Sequence, residues 1–186
     1  IIPEERTTDF DFLYLSALLQ SSVNGVAAAD KLHFLSERDS IYRTSSVKAL
    51  ARIKSQSGEL FSPTLEEDLQ EISAQKKEQE GHQDAALELV KGQINLGRLM
   101  DGVHSTKSFL ERGTEEYSLA KETIVSTLMS ELNADSVLVQ SMALNTYLQE
   151  VDFFQDAAHV DELKSIALQT ALTLGMPELG AAIQMH

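Results

Sequence analysis

Apolar residues recur along this chain at spacings of three and four, the period of a helix that buries one face. The pattern begins at Phe10, Phe12, Leu13, Leu15, Leu18 and Leu19, which predicts a first helix starting near Asp9 after an extended or disordered lead over residues 1–9. It continues through Gly25 with Ala27, Ala28, Leu32 and Leu35, and leaves open whether that glycine bends one helix or separates two. Val47, Leu50, Ala51 and Ile53 form a short amphipathic helix, capped by Thr44 or Ser45 and ended by Ser57-Gly58. Thr64-Leu65-Glu66-Glu67 reads as a capping box in front of Leu65, Leu69 and Ile72, because the threonine and glutamate satisfy each other's open backbone donors.

Residues 73–83 are polar all round and contain Gly81, which marks either a solvent-crossing helix or a break. Beyond them the stripe Ala86, Leu89, Val90, Ile94, Leu96, Leu99, Met100 and Val103 predicts one helix, softened by Gly92, Gly97 and Gly102. Gly113 ends it. Tyr117, Ala120, Ile124, Leu128 and Leu132 give the cleanest stripe of all. A further helix is expected from about Ser136 to Ala157 on Val137, Leu138, Ala143, Leu144, Leu148 and Val151. A last long helix, capped by Asp161 and closed by Gly175 before Pro177, completes the pattern, with one short turn after it.

Proline supports this reading, since a run of 113 residues between Pro63 and Pro177 contains none, where average usage would place about five or six. Proline breaks helices, so its absence fits a helical chain. Strict heptads and repeats of solenoid length are both missing. The expected fold is therefore all-α: a single-domain bundle of about six or seven helices over residues 10–186, with the polar break at 73–83.

Charge narrows the partners. Against 15 basic residues stand 29 acidic ones, a formal net charge of −14, which repels nucleic acid and anionic membranes. Nothing approaches the roughly 18 apolar residues needed to span a bilayer, so a soluble protein is expected. With no cysteine there is no disulfide, thiolate zinc site or cysteine nucleophile, but the compartment stays open. Ile1-Ile2-Pro3-Glu4 lacks the features of a signal peptide, and a start at Ile1 suggests a processed chain.

Chemistry is sparse. Phosphate-cradling glycine loops, nucleophile elbows and zinc-helix motifs are all absent from the sequence. Three histidines follow an aspartate by three residues: Asp30-His33, Asp101-His104 and Asp156-His159. On a helix that spacing puts both groups on one face, as in bundles that hold two metals, so Asp101, His104, Asp156 and His159 are the candidate metal ligands. Exposed acid–histidine pairs would give the same spacing. The stretch His104-Ser105-Thr106-Lys107-Ser108 also resembles the phosphoacceptor segment of histidine phosphotransfer domains, although glycine is usual where Ser108 stands. That resemblance implies a helical bundle in which His104 accepts a phosphoryl group and Lys107 helps neutralise it.

Phe10, Phe12 and Tyr14, and separately Phe153 and Phe154, are either core or aromatic anchors for a partner. The expectation is a non-enzymatic module that presents helical faces to a protein partner, itself included, with no cofactor. Two alternatives stand beside it. One is a ligand-sensing bundle in which the helix around Gly92 to Gly102 lines a pocket; the other is a metal-dependent oxidoreductase using the aspartate–histidine pairs.

Overall fold

The structure, a computed structural model, describes residues 10–21, 25–38, 41–74 and 82–185. All of its regular structure is α-helical: eleven helices and no strand among the described residues. That exceeds the six or seven expected, because several stripes that read as one helix are two.

The helices fall into two compact units, residues 1–96 and 97–186. The first unit holds α1 (Phe10–Ser21), α2 (Gly25–Ser36), α3 (Arg43–Ser57), α4 (Pro63–Ala74) and α5 (His82–Asn95). Gly25 thus begins a helix of its own. α2 packs between α1 and α3, and α5 packs on α3 and α4. Their inner faces are the expected ones: Val47, Leu50 and Ala51 on α3 and Leu65, Leu69 and Ile72 on α4 are buried. Burying an aliphatic side chain of that size is worth about 1.5–3 kcal/mol, far more than any cap, so the stripe decides which face turns inward.

Three local features shape this unit. Gly58 ends α3 at φ +69°, a left-handed conformation that costs glycine little, and its N–H bonds the carbonyls of Lys54 and Ser55. The cap of α4 lies two residues before the predicted one, because Ser62 Oγ accepts from the Leu65 N–H at 3.2 Å and Pro63 fills the first helical position. The carboxylate of Glu88 on α5 is buried and accepts from Ser55 Oγ at 2.9 Å and Lys91 Nζ at 3.0 Å, which ties α5 to α3. Of the polar stretch 73–83, Ser73 and Ala74 close α4, His82 and Gln83 open α5, and residues 75–81 lie outside the described residues.

The second unit holds α6 (Leu99–Phe109), α7 (Glu115–Leu132), α8 (Val137–Gln149), α9 (Val151–Phe154), α10 (Val160–Thr173) and α11 (Pro177–Met185). The predicted glycine-softened helix is split here: α5 stops at Asn95, and α6 starts at Leu99 beyond Gly97 at φ +71°. α7 keeps its stripe, with Tyr117, Ala120, Ile124, Leu128 and Leu132 buried, and Thr114 caps it by accepting from the Tyr117 N–H. The helix expected to run to Ala157 breaks at Glu150 into α8 and the short α9. His159, not Asp161, stands at the start of α10.

Phe153 and Phe154 on α9 are core residues. Both are buried, with their rings edge to face at 5.2 Å; Phe154 stacks on Tyr147 at 5.9 Å, and Phe153 meets Tyr117 at 6.4 Å. The neighbouring acids Asp152 and Asp156 face outward and take the solvent positions, while both rings sit in the interior of the unit. Among the described residues no helix is long and apolar enough to cross a membrane.

Candidate functional site

α1 and α8 each leave three large apolar side chains outside. On α1 the inner face is filled by Leu13 and Ala17, and Leu15, Leu18 and Leu19, at i, i+3 and i+4, form the outer one. Leu15 is 59% exposed and Leu19 78%. Val26 on the adjoining α2 adds to the exposed apolar set. Lys31 of α2 fixes α1 in place, donating to Ser16 Oγ at 3.2 Å and Gln20 Oε1 at 2.6 Å, and Tyr14 stacks on Tyr42 at 4.8 Å. Of the first aromatic cluster, Tyr14 is therefore half-buried and held within the unit, while the side chains of Phe10 and Phe12 lie outside the described residues.

On α8 the sequence places Val137 and Leu138 in the core, yet both are exposed, together with Met142. The buried face is carried instead by Ala143, Leu144, Thr146 and Tyr147.

The second unit also contains a groove of about 770 Å³ between α7 and the α9–α10 turn. Tyr117, Val125 and Met129 give it an apolar wall; Lys121, Asp156 and His159 supply charge. The Lys121 side chain is only 10% exposed, so its stem crosses the core with the ammonium 5.1 Å from the Phe153 ring centroid, and its tip pairs with Asp156, which is 75% exposed. The Lys121 hydrogen bond holds the Asp156 carboxyl below the usual carboxylate range, against a smaller opposing effect of burial. Such a group stabilises the fold above its unfolded pKa of about 4 and loses that contribution as pH falls through the lower folded value. The melting-temperature advantage of the native chain over Asp156→Asn is therefore expected to hold from pH 6 to 5 and to shrink as pH falls below about 4. Thermal melts across that range test it; a constant difference would mean the pair contributes nothing through charge.

The four candidate metal ligands are not brought together. Asp101 pairs with Arg98 at 2.6 Å, and His104 Nε2 lies 3.1 Å from Glu150 Oε1. Asp156 is held by Lys121, and His159 faces Glu162 at 3.5 Å. Asp156 and His159 share the groove, whereas Asp101 and His104 lie outside it. Among the described residues there is no group of three or more histidines and carboxylates placed to hold a metal ion. Lys107 shares the Glu150 carboxylate with His104, bonding its other oxygen at 2.8 Å. The glycine-rich stretch lines no part of the groove, and Gly92 instead packs on the Phe61 ring.

Comparison with known proteins gives no match to a family model, a curated protein or a solved structure.

Proposed function

We infer that this chain is a non-enzymatic interaction protein whose α1 face docks an amphipathic helix of a protein partner. The observation that carries this is the exposure of Leu15 and Leu19, one turn apart on a helix whose other face packs against α2. A helical partner reads such a stripe by laying its own apolar residues against it. The net charge of −14 selects the surroundings of those residues: a partner with basic flanks is steered in, and an acidic one is rejected. No cofactor enters this reading.

Site-specific photocrosslinking in cells tests it, with a benzophenone side chain placed at Leu15, at Leu19 or at the control position Arg52. The expected result is the same protein captured from Leu15 and Leu19 but not from Arg52, and lost when Leu18→Glu is added. Capture from Arg52 alone would overturn the assignment of the face.

The groove favours a second reading, a small-ligand sensor, since its volume lies within the range of ordinary ligand sites and its wall mixes apolar and charged groups. It takes the place of the pocket expected along the glycine-rich helix.

A further inference from the structure

We propose that the outward face of α8 is a homotypic contact, through which two copies of this chain associate about a two-fold axis. The first ground is charge. Residues 97–186 carry thirteen acidic and five basic side chains, yet α8 contains no Asp, Glu, Lys or Arg along its 13 residues. Copies of net charge −14 repel one another over most of their surfaces. At a two-fold axis the contact is isologous, so each residue near the axis meets its own counterpart, and any charge there faces its own sign. An uncharged stripe is what such a contact requires.

The second ground is the chemistry of the stripe. Leu138 is 69% exposed and Met142 57%, one helical turn apart, and Val137 lies beside them. Leu138 and Met142 form an apolar centre that a matching pair from a second copy would cover, with methionine able to adapt its shape. Asn145 and Gln149 continue the exposed face, already bonded to each other at 3.1 Å. Their amides each donate and accept, so they are complementary to themselves across the axis. A helix of this length spans about 20 Å. Helix against helix therefore buries less than the roughly 1,200 Å² of a stable interface, and the association is weak and concentration-dependent. It stands independently of the α1 face.

Sedimentation equilibrium at about 10 µM and about 1 mM, each at about 0.05 M and 0.5 M salt, tests the proposal. The expected result is monomer at the lower concentration and a shift toward dimer mass at the higher. The shift should be larger in high salt, because screening relieves the repulsion while leaving the apolar contact in place. L138E combined with M142E should raise the dimer dissociation constant at least tenfold, and L15E combined with L19E should leave it unchanged. As the chain has no cysteine, M142C gives a second readout that needs no charge reversal: oxidation should cross-link M142C chains faster than L172C chains, Leu172 being exposed on α10. Monomer at 1 mM in both salts, a dimer that survives the α8 double variant, one abolished by the α1 double variant, or equal cross-linking at both cysteines would each overturn it.

Discussion

Replacing Phe154 by alanine is expected to destabilise the protein by about 3–5 kcal/mol, the usual cost of emptying a fully buried aromatic site. Its ring is almost wholly buried, stacked on Tyr147 and set edge-on to Phe153, so truncation removes both contacts and leaves a cavity that α9 is too short to collapse into. Urea unfolding followed by circular dichroism on the full chain measures the loss. A surface anchor would behave differently: alanine there leaves stability within about 0.5 kcal/mol and acts only on binding. An unchanged denaturation midpoint would therefore remove Phe154 from the core and return it to the surface.

The next largest effect is expected at Gly92, although alanine ordinarily improves a helix by about 1 kcal/mol at such a position. A Cβ there would lie 2.3 Å from two atoms of the Phe61 ring, and that ring is itself buried. Something must move, and forcing an extra carbon into a packed site costs about 1–3 kcal/mol. The overlap outweighs the propensity, so Gly92→Ala should destabilise. Adding Phe61→Leu to it should recover part of the loss, since residues in contact are coupled rather than additive. A Gly92→Ala chain more stable than the native one would show that Phe61 shifts freely.

Much of the fold was legible because helical stripes report burial directly. Val47, Leu50 and Ala51, and the run from Tyr117 to Leu132, point inward as their spacing required. Ends and breaks were harder. Gly97 was read as a soft point inside one helix, at a cost of about 1 kcal/mol relative to alanine, whereas its positive φ makes it a break between α5 and α6. Ser62 was overlooked as the cap of α4 because Thr64 with Glu67 offered a competing pattern, whereas Pro63 suits the first helical position and shifts the start.

The candidate site was less legible for a different reason. Spacing places Asp101 and His104 on one face, but each finds its own partner, Arg98 or Glu150, and Glu150 lies 46 residues away from His104. Leu15 and Leu19 were read only as part of the pattern that predicts α1, because apolar residues on a helix look alike from either side. In α8 the 13 residues carry no charge, but charge-free runs also cover residues 12–29 and 165–177, so composition alone did not single out its outward face.

The central claim is that α1 presents a docking face. Its most direct test is an equilibrium binding isotherm between the purified full chain and the protein captured at Leu15 and Leu19, repeated with L15E combined with L19E and with L138E combined with M142E. The α1 double variant should bind at least a hundredfold more weakly, about 2.7 kcal/mol, and the α8 double variant should bind as the native chain does. Equal affinity for the native chain and the α1 double variant would contradict the claim.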